Sequence, residues 1–370
     1  MNGIYIHVPF CKSKCPYCDF YSMRCDEQAK QKYVDAVIDE IKTLRRCKAF
    51  CGDNFKKADT LYLGGGTPSV LSGEQIALIV NTAKEMFDIP DSGEITVECN
   101  PSSDIEALIP YLKECGVNRI SLGMQSAVDK ERKALGRSAD KNRIRQVVEL
   151  FKENEINNIS LDIMLGIPYQ DVETLKSTLA FIRECDVAHV SAYMLKIEEG
   201  TFFDTHSERY DFPDEDAVCD LYTQCADYLV SNGYCHYEIS NFAKKGYESR
   251  HNTKYWKLDN YLGIGPSAHS FIDGKRFYFP NNINEFIDGK EPVFDCIGGD
   301  RDEYVMLRLR LQEGLNINML KKLYGEDSAD SIIKKAPLLM KQGLVNYDGC
   351  NLSLTEKGYL LSNSVIIELL

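Results

Sequence analysis

Residues 7–20 read HVPFCKSKCPYCDF and contain three cysteines at C-x3-C-x2-C spacing. These are Cys11, Cys15 and Cys18. Iron–sulfur clusters are held by cysteine thiolates, usually four of them, so a loop that offers only three leaves one iron free for an exchangeable ligand. The spacing therefore predicts a [4Fe–4S] cluster with one open corner.

Zinc is the competing interpretation of this loop, because pairs of cysteines two residues apart are common in zinc sites. A structural zinc ion normally takes four ligands, with a second pair near the first. His7 or Cys25 would have to supply the fourth ligand, since no second pair lies nearby. Ordinary buried cysteines are the third interpretation, and they would need three thiols to coincide within eight residues.

Six short segments of the first 200 residues are apolar and rich in β-branched or aromatic residues, which is typical of β-strands. Between them lie amphipathic stretches, for instance Ile76, Ile79, Val80 and Ala83 at helical spacing. This alternation predicts a parallel α/β sheet with right-handed crossovers, either an open doubly wound sheet or a partial barrel. The predicted strands are residues 3–8, 60–64, 94–99, 118–123, 158–164 and 187–194.

Start and stop signals mark two of the helices between these strands. Ser72 with Gln75, and Ser103 with Glu106, fit the capping box, in which each side chain accepts a hydrogen bond from the other residue's backbone N–H. Gly116 is expected to end the second of these helices, because glycine readily adopts the left-handed conformation found there.

Residues suited to ligand binding fall where the predicted strands end. The glycine triplet 64–66 and Thr67 follow the second strand, Glu98 ends the third, Gln125 follows the fourth and Asp162 is late in the fifth. Carboxyl ends of parallel strands meet at one edge, where α/β folds build their sites. Glycines let a ligand approach the backbone, and carboxylates suit ammonium groups or ribose hydroxyls. We therefore expect one binding site at this edge.

A C-x3-C-x2-C loop after a first strand, with an aromatic residue before the last cysteine, resembles the radical S-adenosylmethionine (SAM) superfamily. The resemblance implies a partial (β/α)6 barrel with SAM bound to the open iron. It also implies that reduction of the cluster cleaves SAM into methionine and a 5′-deoxyadenosyl radical. The residues expected to contact SAM are Tyr5, Gly65, Gly66, Thr67, Glu98, Gln125, Arg137 and Asp162. The glycine motif is expected to grip the amino group of methionine, and the Arg137 guanidinium can pair with a carboxylate.

Across its whole length the chain resembles the oxygen-independent coproporphyrinogen III oxidase family, and within it the HemW branch of heme chaperones. The matching pieces lie between residues 4 and 256 and read IYIHVPFC, CPYCDF, LGGGTPS, LGMQS, LGR, DIMLGIP and HNTKYW. Two departures separate it from the oxidase branch. Phe20 stands where that branch has a further cysteine, and the first strand begins almost at Met1, without the extension that helps enclose the substrate there. Both departures weaken the case for substrate oxidation.

HNTKYW, at residues 251–256, contains the only tryptophan of the chain and resembles the H-N-x-x-Y-W motif linked with heme binding in the HemW branch. The resemblance makes His251, Tyr255 and Trp256 candidates for contacts with heme carried as cargo. Imidazole is a good axial ligand for heme iron, and aromatic rings suit a porphyrin face. His269 is a second candidate ligand. The alternative is that His251 is a packing residue with its hydrogen bonds satisfied.

The chain divides into three predicted parts. Residues 1–210 form the radical SAM partial barrel, residues 211–290 an extension of the barrel that carries the H-N-x-x-Y-W motif, and residues 291–370 a small, mainly helical, winged-helix-like domain of the HemN type. Helices are expected in the last part at about 301–313, 316–323 and 328–342, and a hairpin at 344–354. Winged-helix modules can bind DNA, but nine Lys and Arg against twelve Asp and Glu in this part favour a lid or a partner-docking role instead.

Composition argues against a nucleic-acid partner, although local basic patches stay possible, and against a membrane span. The net charge of −13 argues against nucleic acid, whose binding draws on a basic surface. No apolar run approaches the roughly 20 residues that a membrane span needs. We therefore expect a cytoplasmic protein in which most of the 14 cysteines are reduced thiols.

Two functions remain open from the sequence. The first is a heme-transfer protein that retains a radical SAM site, with a respiratory protein as heme acceptor. The second is an enzyme, either an oxygen-independent coproporphyrinogen III dehydrogenase-like oxidoreductase or another radical enzyme that modifies tetrapyrroles. Phe20 and the H-N-x-x-Y-W motif favour the first, and the complete set of expected SAM contacts keeps the second open. In both cases the cluster implies an electron donor such as a flavodoxin or a ferredoxin.

Overall fold

The computed structural model describes residues 1–52 and 55–370, and its centre is a sheet of parallel strands. The six central strands are β1 (Asn2–Val8), β2 (Ala58–Gly65), β3 (Glu94–Cys99), β4 (Arg119–Gln125), β5 (Asn158–Leu165) and β6 (His189–Met194). Each pairs in parallel with the next one along the chain. This consecutive order is that of a partial barrel, because a doubly wound sheet reverses its strand order at a switch point. All six predicted strands are confirmed.

Helices connect the central strands and pack against one another along the outside of the sheet. They form because their apolar residues recur at helical spacing; Ile76, Ile79 and Val80, for instance, are fully buried. These helices are α1 (Glu27–Thr43), α2 (Lys48–Cys51), α3 (Gly73–Met86), α4 (Ile105–Cys115), α5 (Asp129–Ala134), α6 (Lys141–Glu153) and α7 (Val172–Cys185). Among all helices of the described residues, none has both the length and the apolar character that crossing a bilayer requires.

The helix caps agree with the sequence in one case and differ in the other. At α3, Ser72 and Gln75 form both hydrogen bonds of the capping box. At α4 the predicted box of Ser103 and Glu106 is wrong, because the Asp104 carboxylate accepts the hydrogen bond from the backbone N–H of Ala107. Ser103 is instead turned inward, where its hydroxyl lies 2.9 Å from that of Ser69.

Further strands extend the sheet at both edges. They are β7 (Cys235–Glu238), β8 (Asn241–Ala243), β9 (Tyr261–Ile264), β10 (His269–Ile272), β11 (Lys275–Tyr278) and β12 (Val293–Ile297). Strand β9 runs parallel to β1 and is followed outward by antiparallel β10, β11 and β12, whereas β8 and β7 extend the edge beyond β6. The segments between them form α8 (Phe202–His206), α9 (Glu215–Ser231), α10 (Arg250–Lys257) and α11 (Ile283–Ile287).

Helix α10 closes the end of the barrel at which the strands begin. The carboxylate of Glu94, at the start of β3, accepts hydrogen bonds of 2.9 Å from the backbone N–H groups of Arg250 and His251. A carboxylate is favourable at this position because the amino-terminal end of a helix carries partial positive charge. The His251 ring also reaches Thr60, near the start of β2, at 2.8 Å. The H-N-x-x-Y-W segment therefore lies at the opposite end of the strands from the cysteine loop.

The last 70 residues form helices around a small sheet. Their elements are α12 (Arg301–Arg308), β13 (Leu315–Asn316), α13 (Ile317–Tyr324), α14 (Glu326–Lys341), β14 (Val345–Tyr347), β15 (Asn351–Leu354), α15 (Glu356–Leu360) and α16 (Ser362–Leu369). The predicted hairpin is confirmed as β14 and β15. The first predicted helix ends earlier, at Arg308, because Leu311 pairs with Glu238 of β7 and Gly314 adopts a left-handed conformation at φ +69°.

Candidate functional site

The cysteine loop follows β1 and is held against the turn after β2. An isolated bridge pairs Phe10 with Met23, and the Cys11 backbone N–H donates a 3.0 Å hydrogen bond to the Met23 carbonyl. The three thiols are partly exposed and free. The Cys11 Sγ lies 3.4 Å from the Thr67 hydroxyl. This contact joins the predicted cluster loop and the predicted glycine motif into one site.

The donor atoms of the loop fit an iron–sulfur cluster, because cysteine thiolates are the ligands that such clusters take. In the described part of the chain, no group of three or more His, Cys, Asp and Glu side chains is arranged to hold one metal ion. His7, a candidate fourth zinc ligand, has both ring nitrogens engaged. One lies 3.1 Å from the Tyr5 hydroxyl and the other 3.0 Å from the Tyr21 carbonyl oxygen. His7 is therefore not free to bind zinc in this arrangement.

The turn after β2 needs glycine because it lies directly against the cysteine loop. Gly65 has φ +106°, and a Cβ there would lie 2.6 Å from the His7 ring. A Cβ on Gly66 would lie 2.6 Å from the backbone carbonyl oxygen of Phe10, which cannot rotate away. Without side chains, the turn packs on the loop and leaves its backbone open to a ligand on the other side.

Glu98 is a half-buried carboxylate that faces the site from the end of β3. Its Oε1 accepts a 2.8 Å hydrogen bond from the Tyr62 hydroxyl, and its Oε2 accepts a 3.2 Å bond from the Gly65 backbone N–H. Burial is the largest cause that raises the pKa of Glu98 to about 7, and the nearby Asp162 carboxylate acts in the same direction, whereas the two hydrogen bonds and the Arg119 guanidinium oppose the rise. A cationic ligand would favour the ionised form of Glu98 and would be bound by it.

Arg137 holds the rim of the site next to the third cysteine. Its Nη2 donates a 2.6 Å hydrogen bond to the hydroxyl of Tyr17, the residue before Cys18. Its Nε is buried without a partner in the described structure. A guanidinium with a buried, unused N–H group is suited to an anionic ligand, such as the carboxylate that we expect it to pair with from the sequence.

Asp162 and Gln125 also face the site. Together with Glu98 and Arg137 they form what we call the polar wall. Asp162 accepts hydrogen bonds from the hydroxyls of Ser121 at 2.7 Å and Ser160 at 2.9 Å. Burial raises the pKa of Asp162 against the effect of these hydrogen bonds. Gln125 follows the bulge at the end of β4 and has a left-handed backbone at φ +68°. This conformation turns its amide toward the cavity, where it lies beside Gly123.

One cavity of about 550 Å³ brings these groups together at the carboxyl ends of the strands. The predicted residues that line it are Cys11, Cys15, Cys18, Gly65, Gly66, Thr67, Glu98, Gln125, Arg137 and Asp162. Tyr5 is not among the lining residues. Tyr5 is half-buried on β1, its ring lies 6.1 Å from the Tyr62 ring, and desolvation raises its pKa well above the usual value for tyrosine.

Several lining residues were missed from the sequence. Tyr62, Ser121 and Tyr193 all face the cavity from the strands, and Met194 ends β6 beside it. The alternation of side chains along a strand was the available signal. Tyr62 precedes Gly64 by two residues, and Ser121 precedes Gly123 by two, so each shares the inward face of its strand.

The residues of the H-N-x-x-Y-W segment lie apart from this cavity. His251 is fully buried, and its ring nitrogens lie 2.8 Å from the Thr60 hydroxyl and 2.8 Å from the Tyr255 hydroxyl. Burial lowers the pKa of His251 to about 3, so the ring is neutral. Binding to heme iron would require one of these hydrogen bonds to break. Trp256 faces the other way, with the Arg310 guanidinium 5.8 Å from its ring centre.

His269, the second candidate heme ligand, lies on the surface at the start of β10. Its ring stacks on that of Tyr278, with 5.1 Å between the ring centres. The structure therefore does not bring His269 and His251 together, and each stays a separate prediction.

Two family models match the chain. The model of the Radical SAM superfamily matches residues 5–182, and the model of the HemN C-terminal domain matches residues 301–361. The first match includes the cysteine loop and strands β1 to β5. The second runs from α12 to the end of α15.

Curated relatives match over nearly the whole chain. The heme chaperone HemW of Lactococcus lactis is 31% identical over 98% of this chain and 96% of its own. The heme chaperone HemW of Escherichia coli is 32% identical over 98% of this chain and 97% of its own. Among solved structures, the coproporphyrinogen III oxidase HemN of Escherichia coli, a radical SAM enzyme, superposes with a TM-score of 0.83. That likeness covers 99% of this chain and 89% of HemN at 22% identity, so it concerns the fold.

Proposed function

The chain belongs to the radical SAM superfamily and, within it, to the family of HemW heme chaperones, and from this premise we propose that it binds heme and transfers it to an acceptor protein. In this proposal the [4Fe–4S] cluster and SAM are resident cofactors, and heme is the cargo. The acceptor is a respiratory protein, and a flavodoxin or a ferredoxin supplies electrons to the cluster.

The single observation that carries the cofactor assignment is the shared cavity of the three cluster thiols and the polar wall. Cys11, Cys15 and Cys18 would hold the cluster. When bound and reduced, the cluster with SAM supplies 5′-deoxyadenosyl radical chemistry. The Glu98 carboxylate is placed to pair with an ammonium group, and the unused Arg137 N–H with a carboxylate.

The heme part of the proposal rests on the names of the full-length relatives and on the H-N-x-x-Y-W segment. His251, Tyr255 and Trp256 are the residues that the family resemblance connects with heme. Since His251 is buried with both ring nitrogens hydrogen-bonded, its use as ligand would require α10 to shift from the barrel end.

An enzyme that oxidises coproporphyrinogen III is the second candidate function. It is favoured by the complete polar wall around the cavity, which a protein without SAM chemistry would not need. Phe20, whose side chain is exposed beside the cluster loop, weakens it because the oxidase branch has a further cysteine there.

The test is ferric heme titration of the cluster-free, cluster-loaded and SAM-loaded chain under anaerobic conditions. We expect a saturable Soret difference spectrum with a stoichiometry of one heme per chain or less. In parallel, the reduced SAM-loaded protein is incubated with coproporphyrinogen III and the products are analysed. Heme binding without turnover supports the chaperone. Decarboxylated product in the absence of heme binding would establish the oxidase instead.

A further inference from the structure

Hydrogen bonds connect the cofactor cavity with the start of α10. At the cavity, the Ser160 hydroxyl donates a 2.9 Å hydrogen bond to the Asp162 carboxylate. The Ser160 oxygen lies 2.8 Å from Nδ1 of His189, and Nε2 of His189 lies 2.8 Å from the Tyr237 hydroxyl. That hydroxyl accepts a 3.1 Å bond from the backbone N–H of Ser249, the residue before α10. We call these five residues the relay.

Most of the relay is enclosed in the protein. Ser160, His189 and Ser249 are fully buried, and the other two members are half-buried. Burial lowers the pKa of His189 well below its usual value, and the Arg119 guanidinium acts in the same direction. The His189 ring is therefore neutral, with one nitrogen that donates a hydrogen bond and one that accepts.

The two ends of the relay fix the direction of every hydrogen bond in it. An ionised carboxylate can only accept, so Ser160 donates its one hydroxyl proton to Asp162. Ser160 then accepts from Nδ1–H of His189, and Nε2 of His189 accepts from the Tyr237 hydroxyl. The Tyr237 oxygen accepts from the Ser249 backbone N–H, which can only donate. These partners assign the Nδ1–H tautomer to His189.

At one end of the relay, Ser249 holds the first turn of α10. Its hydroxyl accepts a hydrogen bond from the backbone N–H of Asn252, and its carbonyl accepts a 2.7 Å bond from the Thr253 hydroxyl. Such a cap stabilises the start of a helix because it satisfies an N–H group that has no partner within the helix. His251 follows Ser249 by two residues, so the relay ends on the helix that the family resemblance connects with heme.

At the other end, Asp162 lines the cavity that would hold SAM. Burial raises the pKa of Asp162, which favours the neutral carboxylic acid. A protonated Asp162 can itself donate to Ser160, so the hydrogen bonds of the relay lose their fixed direction. SAM carries a sulfonium and an ammonium group, and a cationic ligand favours the ionised carboxylate. Binding of SAM therefore favours the relay in the direction that includes the hydrogen bond to Ser249.

We propose that His189 is a positioning residue that couples the cofactor cavity to α10, so that SAM bound beside Asp162 holds α10 in place and weakens heme binding. This inference deepens the proposed function and rests on it, because it takes heme as the cargo of α10. The coupled element has two states: α10 docked on the barrel end, and α10 shifted so that His251 can reach iron. SAM favours the docked state and heme the shifted one, so each ligand weakens the binding of the other by the same factor.

The experiment measures ferric heme affinity of the anaerobically reconstituted, cluster-loaded full-length chain with and without saturating SAM. In the unaltered chain we expect SAM to weaken heme binding at least about fivefold, the lower end of typical couplings between two sites. Tyr237→Phe removes the hydroxyl that contacts His189 and Ser249. Ser160→Ala removes the link between Asp162 and His189 and leaves the α10 end of the relay intact. In both variants SAM should change heme affinity by less than about twofold.

Tyr234→Phe is the matched control, because it removes a buried tyrosine hydroxyl that lies outside the relay. That hydroxyl donates a 2.7 Å hydrogen bond to the carbonyl of Val187, two residues before His189. We expect Tyr234→Phe to keep the coupling factor of the unaltered chain. Thermal unfolding of each variant shows whether a lost coupling reflects a lost fold.

A second measurement observes the His189 ring directly. Nitrogen NMR of the chain labelled at histidine distinguishes the Nδ1–H from the Nε2–H tautomer, and the His189 signals are assigned by their absence in His189→Gln. We expect a neutral Nδ1–H ring in the SAM-loaded protein. An Nε2–H tautomer or a charged ring there overturns the inference, because the relay would then have the opposite direction or none.

The outcomes separate this inference from the proposed function. If the unaltered chain does not bind heme, both fall. If it binds heme and SAM leaves the heme affinity unchanged or raises it, only the inference is overturned. It is overturned as well if folded Tyr237→Phe and Ser160→Ala keep the full coupling factor, or if folded Tyr234→Phe loses it.

Discussion

The Tyr62 hydroxyl donates a 2.8 Å hydrogen bond to Glu98 Oε1, and the Tyr62 ring lies 5.2 Å from the His251 ring. One side chain thus contacts both the carboxylate of the cofactor cavity and the histidine of the helix that closes the other end of the barrel. Tyr62 therefore lies between the cavity and the helix that closes the other end of the barrel, in contact with a residue of each.

SAM affinity is predicted to depend on the ionisation of Glu98. The pKa of Glu98 is about 7, so the carboxylate that pairs with an ammonium group is fully formed only above that pH. Between about pH 6 and about pH 8 the ionised fraction rises roughly tenfold, and SAM should bind tighter by up to that factor. Calorimetric titration of the cluster-loaded protein at several pH values measures this, and Glu98→Gln should bind weakly with no such pH dependence.

Tyr62→Phe is the matched variant for this prediction. The Tyr62 hydrogen bond lowers the pKa of Glu98, so its removal should move the midpoint of the SAM-binding profile to higher pH. A Tyr62→Phe profile that coincides with that of the unaltered chain would show that Glu98 does not titrate in SAM binding.

Iron content is predicted to depend on three of the cysteines and not on their neighbour Cys25. Replacing Cys11, Cys15 or Cys18 by Ser should abolish the iron–sulfur absorbance after anaerobic reconstitution, because only two thiolates would remain to hold the cluster. Cys25→Ser is the control, since Cys25 is a half-buried free thiol close in sequence. Loss of iron in the Cys25 variant would indicate a fourth protein ligand and a closed cluster.

Gly66→Ala is predicted to disrupt the contact between the glycine turn and the cysteine loop. The new Cβ would lie 2.6 Å from the Phe10 carbonyl oxygen and 2.9 Å from that of Val8, so backbone must move. Overpacking of this kind costs about 1–3 kcal/mol in the free energy of unfolding. Urea unfolding and iron content after reconstitution measure the effect.

Gly246→Ala is the control for this substitution. Gly246 has φ +87° and no atom within 4 Å of a Cβ, so alanine there meets only the backbone strain of roughly 1 kcal/mol. Iron content should fall in Gly66→Ala and not in Gly246→Ala. Equal iron content in the two variants would mean that the packing of turn on loop is not needed for the cluster.

His251→Ala is predicted to destabilise the fold. It leaves the buried hydroxyl of Thr60 without its partner, at a cost of about 1–3 kcal/mol, and also removes the partner of the half-buried Tyr255 hydroxyl. Urea unfolding measures this loss, and the exposed His269→Ala should be close to neutral. An unchanged free energy of unfolding in His251→Ala would show that the His251 ring does not stabilise the fold.

The free energy of unfolding of His251→Ala should depend less on acid pH than that of the unaltered chain. The pKa of His251 is lowered to about 3, whereas the ring in the unfolded chain takes up a proton near the ordinary value of about 6.5. The unfolded state therefore binds more protons in this window, so the free energy of unfolding falls as the pH falls through it. His251→Ala should show a shallower fall between about pH 6.5 and about pH 4 than the unaltered chain.

The family and the arrangement of the cofactor cavity could be predicted from the sequence because both depend on short-range information. Strand periodicity and cysteine spacing are local, and the rule that parallel strands end at one edge places Glu98 and Asp162 beside Cys11 without coordinates. The same local signals failed at α4, where Ser103 and Asp104 are both acceptable caps and only the position of Ser69 decides between them.

A radical SAM barrel with a loop of three cysteines could be predicted from the sequence alone, because cysteine spacing and the order of strands are properties of the chain itself. Which side chains are free to bind a ligand depends on the folded arrangement. His251 and His206 are the same residue type, but their surroundings differ. The His251 ring is hydrogen-bonded to Thr60 and Tyr255, whereas the Nε2 of His206 has no hydrogen-bond partner in the described residues. The physical reason is that burial and hydrogen-bond partners come from residues far apart in the chain, here nearly 200 positions apart for His251 and Thr60, and no local pattern records them.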